Sequence, residues 1–215
     1  MLLTLLACGD PDPFAATTCS HHWPADIAGA EWRYAAAADG EYGPEGWRTV
    51  RTSGSQEWES ATAFMVEFSA ELDYETVESY AISGREAWVC DEDGSWFLGR
   101  EQSTEWVDGD EDGSDSYTLL LAEPVLIVPS EPAVGDAWED EVDATVDLGA
   151  TGSMEGPWQV ASQITEDGLH GEHPTLRIER AETFQNQTET FGTWFGDGLG
   201  VTHDEGRWEL LELVW

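Results

Sequence analysis

The sequence contains no lysine, so eight arginines supply its permanent positive charge against 45 aspartates and glutamates. The formal net charge of −37 argues against nucleic acid as a partner, because phosphate binding requires basic patches. It also opposes flat docking on anionic lipid headgroups. Two explanations stay open: a solubilising surface in a GC-rich composition that favours arginine, or adaptation to high salt. In both cases mutual repulsion should destabilise the fold at low salt.

Motifs of the common enzyme classes are also missing from the sequence. There is no Gly-x-Ser-x-Gly nucleophile elbow, no phosphate-binding loop and no dinucleotide-binding glycine pattern. Paired carboxylates of the kind that hydrolyse glycosides carry no information here, because 45 acids allow too many pairings. We therefore expect that the protein is not an enzyme.

No apolar run approaches the ~20 residues that a membrane-spanning helix needs. The chain opens with MLLTLLACGDPDP, where leucines and Ala7 precede Cys8. This resembles the bacterial lipobox, which implies cleavage before Cys8 and attachment of diacylglycerol to its thiol. Residues 1–7 have no basic flank and fall short of the ~7–15 apolar residues of a signal peptide, so we expect a truncated signal whose true start lies upstream.

The lipobox resemblance implies a location in the bacterial cell envelope, anchored to the membrane through the N-terminal lipid. Residues 8–22 would be the tether, because Gly, Asp, Pro and Thr are frequent there. Gly9 follows Cys8, where an Asp commonly signals retention in the inner membrane. The outer membrane is therefore favoured, and secretion without a lipid is the alternative.

The sequence has three cysteines, Cys8, Cys19 and Cys90. If Cys8 carries the lipid, an even pair remains, and an oxidising compartment permits a Cys19–Cys90 disulfide. The loop that it closes is long, so loop-closure entropy gives roughly 4–5 kcal/mol of stabilisation as an upper figure. The alternative is two buried free thiols.

Hydrophobic alternation predicts an all-β fold. In EWRYAAA, for example, Trp32, Tyr34 and Ala36 share one face. Ten or more short strands at hairpin spacing, with little helix, predict one antiparallel domain over residues 23–215, built as a sandwich, barrel or half-barrel. Asp93-Gly94 predicts a hairpin turn. We expect an acidic loop before SYTLLLAE and a proline-punctuated connection over EPVLIVPSEPAVGDAW.

Three segments, WPADIAGAEWRY, PVLIVP followed by VGDAW, and TWFGDGLGV, occur in an order similar to that of a diffuse group of uncharacterised bacterial secreted lipoproteins. The resemblance spans most of residues 23–213, although its motifs are short. It implies an antiparallel sheet curved into a half-barrel, similar to periplasmic lipoprotein carriers, and it supplies no catalytic residues. Val201-Thr202 stands where those proteins often have Val-Lys.

The acidic segment DGDEDGSDSY matches part of a calcium-binding loop. Asp108, Asp110 and Asp112 occupy alternate positions and a glycine follows, which suits a hard cation and a sharp turn. Leu119 stands where an EF-hand requires a bidentate Glu, so this would be a half-site that Asp115 or another carboxylate completes. The alternative is a solvated acidic hairpin tip.

Aromatic residues are unusually frequent, with 12 tryptophans. We expect those within predicted strands to form the core, and some to line a concave cavity for a lipid-like ligand or to stack on sugars. They are Trp32, Trp88, Trp96, Trp138, Trp158, Trp194 and Trp208. The favoured function is an envelope lipoprotein that binds protein, polymer or an apolar ligand; the alternatives are a calcium-stabilised acidic domain and a hydrolase of envelope polymer.

Overall fold

Twelve antiparallel strands form a closed barrel in the computed structural model, which describes residues 29–36, 45–59, 61–74, 78–108, 111–196, 199–204 and 208–214. Each strand pairs with its neighbours in sequence, and β1 pairs with β12 to close the sheet. The strands are β1 Glu31–Ala36, β2 Glu45–Trp58, β3 Ala61–Tyr74, β4 Glu78–Cys90, β5 Gly94–Asp108, β6 Glu111–Pro129, β7 Ala137–Asp147, β8 Ser153–His170, β9 His173–Phe184, β10 Gln187–Gly196, β11 Gly200–Asp204 and β12 Trp208–Val214.

The prediction of an all-β fold with ten or more antiparallel strands is confirmed, and the curved sheet closes into a barrel. The Asp-Gly hairpin is present between β4 and β5. Its turn is organised by the Asp91 carboxylate, which accepts hydrogen bonds from the backbone N–H groups of Asp93 and Gly94 and from the Trp96 indole. One 3-10 turn, Gly149–Thr151, is found in the described ranges. None of the described segments forms a helix long and apolar enough to cross a membrane.

Two segments predicted as connections are strand instead. The prediction of an acidic loop is wrong over residues 111–115, because β6 begins at Glu111 and pairs with β5 immediately. The apolar part of the proline-punctuated connection is also in β6, where Val125 and Ile127 are fully buried in the barrel. Pro124 has no N–H to donate, and it lies in a bulge of β6 between the pairs Gly99–Leu120 and Phe97–Val125, where no ladder partner is needed.

The barrel wall has an apolar inner face and a polar outer face. Along β3, Val66, Phe68 and Ala70 are buried inside while Glu67 and Glu71 are exposed outside, as the period of a strand requires. A barrel of eight strands is just filled by its side chains, so one of twelve strands needs large residues to fill its wider lumen. Tryptophans and arginines provide that bulk here.

The two ends of the lumen differ in composition. The end at which β1 begins, called the packed end, is filled by buried apolar groups that include Trp32, Val50 and Ile127. The end at which β1 finishes, called the cavity end, carries Tyr80, Trp106 and Tyr117 on inward register positions. Charged side chains occupy the level between these ends.

Glycines make room for aromatic rings in the wall. Gly84 lies opposite Phe68 on the inner face, and a Cβ at Gly84 would come within 2.6 Å of the ring and 2.2 Å of the Glu101 carbonyl oxygen. Gly113 lies opposite Trp106 in the same way, with the indole 2.2 Å from the position of a Cβ. Gly84 therefore leaves room for the Phe68 ring, whose centroid is 5.5 Å from the Arg48 guanidinium and 6.0 Å from that of Arg100.

Candidate functional site in the barrel lumen

The lumen contains two cavities, of about 180 and 260 Å³, that share four charged lining residues. These residues are Arg48, Glu86, Arg100 and Asp204. The smaller cavity also contacts Arg180. Three of the seven arginines within the described ranges thus face one interior, in a protein whose outer surface is strongly acidic.

Arg100 and Glu86 form a tight ion pair across β4 and β5. Arg100 donates from Nε and Nη2 to Glu86 Oε1 at 2.9 and 2.5 Å, and Glu86 Oε2 accepts from the Trp88 indole at 3.1 Å. Glu86 is only 5% exposed, whereas the Arg100 side chain keeps 38% of its surface accessible because it faces the cavity. Burial by itself would lower the pKa of Arg100, but Glu86, Tyr117 and Glu182 together raise it, so Arg100 stays charged.

Arg48 is held by aromatic faces rather than by a close acid. Its guanidinium lies 5.5 Å from the Phe68 ring centroid and 5.9 Å from that of Tyr34. Among the described residues, the nearest carboxylate contact of Arg48 is 4.0 Å, from Nη1 to Asp204 Oδ2, which is too long for a hydrogen bond. Tyr34 is buried and donates its hydroxyl to the Val201 carbonyl at 2.9 Å, and burial raises the pKa of this phenol. It therefore stays neutral and presents its ring to Arg48.

Arg180 contributes the third guanidinium from β9. It lies 4.5 Å from the Phe191 ring centroid, and its Nε is 3.1 Å from Glu182 Oε1 without a hydrogen-bonding geometry. Ser162 pairs directly with Arg180 across β8 and β9. In the described part of the chain, Ser162 Oγ and Arg180 Nε are the buried side-chain atoms without a hydrogen-bond partner. An unsatisfied buried polar group costs about 1–3 kcal/mol.

Aromatic rings line the packed side of the smaller cavity. Trp88 and Phe97 pack with ring centroids 5.1 Å apart, and Phe97 packs edge-on against Trp158 at 5.9 Å. All three rings are at least nine-tenths buried. The cavity therefore joins an apolar aromatic wall to a set of guanidinium donors, as ligand sites with a few placed polar groups do.

The formal charge of this lumen is nearly balanced. Arg48, Arg100 and Arg180 face Glu86, Asp204, Glu182 and Glu189, and these seven residues line the smaller cavity. Among these seven residues, only Arg100 and Glu86 are joined by charge-assisted hydrogen bonds. The arrangement suits non-covalent binding of a small molecule that has both an apolar and a polar part.

Larger depressions lie elsewhere on the barrel. One of about 770 Å³ involves Trp47, Glu71 and Trp106 along strands β2 to β6, and no arginine lines it. Another of about 690 Å³ crosses the outer wall and includes the exposed Arg85–Glu101 pair. The lumen is preferred despite its smaller volume, because its charged groups are partly or fully buried and converge with aromatic rings.

The predicted calcium residues are only partly described. Asp110 and the side chain of Asp108 lie outside the described residues. Asp112 and Asp115 are exposed in β6, three positions apart, so the strand directs them to opposite faces of the sheet. Among the described residues no group of three His, Cys, Asp or Glu side chains is positioned to hold a metal ion. Calcium binding by this segment stays a prediction.

Cys90 is buried at the packed end and is disulfide-bonded. The free-thiol alternative is therefore wrong for this cysteine. Cys8 and Cys19 lie outside the described residues, so lipidation of Cys8 and the pairing of Cys19 with Cys90 stay predictions.

Four of the seven tryptophans expected in the core are buried, namely Trp32, Trp88, Trp158 and Trp208, and Trp96, Trp138 and Trp194 are half-buried. Sequence reasoning missed the arginines. Arg180 stands in phase with Leu176, Ile178 and Phe184, whose alternation marks an inward face. A charged residue in phase with buried apolar neighbours was the available signal.

Comparison of the chain with protein-family models, curated proteins and solved structures finds no match. The resemblance to secreted lipoproteins stays a prediction, and function is argued from the lumen itself.

Proposed function

We propose that this protein is a ligand-binding barrel of the bacterial envelope, which takes a small amphipathic molecule into its lumen without chemically changing it. The apolar part would lie against Trp88, Phe97 and Trp158, and the polar part would reach the guanidinium groups. Cavities of about 180 and 260 Å³ suit a small ligand, since drug-sized ligands occupy roughly 300–1,000 Å³.

The observation that supports this proposal is the layer of charge inside the barrel. The packed end shows that this sequence can fill a lumen with apolar residues. At the charged level it instead places three partly buried arginines, two of which lack close carboxylate hydrogen bonds. Replacing buried ion pairs by apolar groups is often neutral or stabilising, so stability alone is a poor explanation for keeping them.

The proposed lipid anchor would orient the barrel. Cys8 precedes β1 in the sequence, and β1 starts at the packed end, where Glu31 pairs with Val214. A tether that leads into Glu31 would place the packed end nearer the membrane. The cavity end would then face away from the membrane.

A neutral fluorescent probe tests the proposal. N-phenyl-1-naphthylamine should bind the lumen, gain fluorescence and accept energy from the tryptophans. Leu119 lines the smaller cavity, while Thr118 precedes it on the outer wall. The larger side chain of Leu119→Trp would fill part of the cavity, so the probe would lose roughly 1.4 kcal/mol or more of apolar contact. Probe binding should therefore weaken by about tenfold or more.

Thr118→Trp is the matched control, because it adds the same side chain one position away on the opposite face. It should leave probe affinity unchanged. Equal effects of the two substitutions, or no probe binding by the folded wild type, would contradict lumen binding. Near-ultraviolet circular dichroism of both variants checks that the barrel is intact.

A further inference from the structure

We infer that the ligand carries a carboxylate, and that Arg48 and Arg180 bind it. This inference rests on the proposed function, because it assumes that the lumen is the binding site. The ligand would be a small monocarboxylate with an apolar body.

Arg100 is already occupied by Glu86. Both nitrogens on one edge of its guanidinium donate to Glu86 Oε1, and Glu86 Oε2 is held by Trp88. The charges of Arg100 and Glu86 therefore largely compensate each other. Arg48 and Arg180 remain as guanidinium groups with spare donors.

Arg48 has donors that its own surroundings do not use. Phe68 and Tyr34 contact the guanidinium through their ring faces. Asp204 approaches only to 4.0 Å, and no closer carboxylate contact of Arg48 occurs in the described residues. A guanidinium has five N–H donors, so Arg48 can bind a ligand oxygen and keep its distant contact with Asp204.

Arg180 lies on the wall of the same cavity and shows the same deficiency. Its Nε has no hydrogen bond although Glu182 is near. The neighbouring Ser162 hydroxyl is 4% exposed and also unpartnered. Both of these atoms are sealed from the cavity, so a ligand would reach Arg180 through its other guanidinium nitrogens, since this side chain keeps 18% of its surface accessible and lines the smaller cavity.

A carboxylate fits these donors better than other polar heads. Its two oxygens match the planar fork of arginine, whereas a cationic head offers the guanidinium groups no hydrogen-bond acceptor. Glu182, Glu189 and Asp204 oppose an anion, so the carboxylate must share the arginines with them. The free donors of Arg48 and Arg180 make that sharing feasible.

The experiment compares three ligands with the same eight-carbon chain, octanoate, octan-1-ol and octyltrimethylammonium, as competitors of the neutral probe on the full chain. Octanoate should displace the probe at a concentration about tenfold lower than octanol, since a charge-assisted hydrogen bond provides at least that factor. Octyltrimethylammonium should be the weakest competitor.

Arginine variants locate the head group. Arg48→Gln and Arg180→Gln should each weaken octanoate by about tenfold and leave octanol unchanged. Arg85→Gln is the control, because Arg85 pairs with Glu101 on the outer wall. Arg48→Lys and Arg180→Lys keep the charge without the fork, and we expect a partial loss of octanoate affinity.

Equal competition by octanoate and octanol would overturn the carboxylate assignment while leaving lumen binding standing, as would stronger competition by octyltrimethylammonium. An equal loss of octanoate in Arg85→Gln would overturn the assignment to Arg48 and Arg180. Absence of probe binding would overturn the proposed function and the carboxylate with it. The wild-type comparison decides the head group even if an arginine variant does not fold.

Discussion

Glu86→Gln should destabilise the barrel strongly, because it removes the charge that compensates Arg100. The Glu86 carboxylate is 5% exposed and accepts three side-chain hydrogen bonds, two from Arg100 and one from Trp88. Removing one partner of a buried ion pair costs about 3–5 kcal/mol. Because Arg100 keeps 38% of its side chain accessible to the lumen, we expect the lower end, about 3 kcal/mol.

The chain contains a matched control on the next rung of the same two strands. Arg85 and Glu101 pair across β4 and β5 on the outer face, with distances of 2.6 and 3.1 Å from Nε and Nη2. Both side chains are 42% exposed. Glu101→Gln should therefore cost only about 0.2–1 kcal/mol, as exposed ion pairs do.

Urea denaturation followed by tryptophan fluorescence measures both changes, at one fixed salt concentration so that screening is constant. Urea is preferred to guanidinium chloride because the latter is itself a salt. The double variant Glu86→Leu with Arg100→Leu removes both charges. Its loss of unfolding free energy should be well below the sum of the losses in the two single variants. Similar small costs for Glu86→Gln and Glu101→Gln would refute the reasoning, since burial would then make no difference.

Three further predictions follow from the wall and the surface. Gly84→Ala should lower the free energy of unfolding measured in urea by about 1–3 kcal/mol, because its Cβ would meet Phe68 and the Glu101 carbonyl. Gly156→Ala should lower it clearly less, because the nearest neighbour of its Cβ would be the flexible Gln185 amide at 3.1 Å. Hydrogen bonds from Arg51 and then Arg33 lower the pKa of Glu31 below 4.5; its contribution to stability is complete above that value and is lost as pH falls through the folded pKa. Glu31→Gln should thus be less stable than wild type at neutral pH and equal to it in strong acid, and a constant difference across a pH series of urea melts would contradict this. The melting temperature should rise with added sodium chloride because the net charge is −37, and a flat salt titration would show that repulsion is not limiting.

Alternation predicted strands such as β1 and β3, because one face of each is buried and the other is exposed. Trp32 and Tyr34 are inward for that reason. Closure of the barrel was not predictable, since it depends on β1 pairing with β12 across almost the whole chain. The acidic start of β6 was mistaken for a loop because local composition outweighed pairing: Asp112 and Asp115 lie in a strand that β5 holds in register.

Two of the lumen charges, Arg48 and Arg100, were hidden from sequence reasoning for a physical reason. Arg48 and Arg100 belong to strands whose inward positions also carry small or polar residues, such as Gly46 and Gln102, so no apolar stripe marks their face. Only the register, which sets Tyr34 opposite Arg48 and Glu86 opposite Arg100, shows that both arginines face the lumen. The candidate site is therefore a property of pairing across strands rather than of any local motif.

The distribution of positive charge is the strongest reason to regard the lumen as more than a core. An outer surface dominated by carboxylates would attract arginines, because each guanidinium placed there relieves local repulsion at little desolvation cost. Arg48, Arg100 and Arg180 instead lie inside, where burial opposes their charge and where Ser162 and Arg180 leave polar atoms unpartnered. The Arg100–Glu86 pair is stabilised locally by hydrogen bonds, whereas Arg48 lies 4.0 Å from Asp204 and the 3.1 Å ion pair of Arg180 with Glu182 makes no hydrogen bond. A ligand that supplies hydrogen-bond acceptors would explain why Arg48 and Arg180 lie inside the barrel. The comparison of ligand head groups is therefore the decisive measurement.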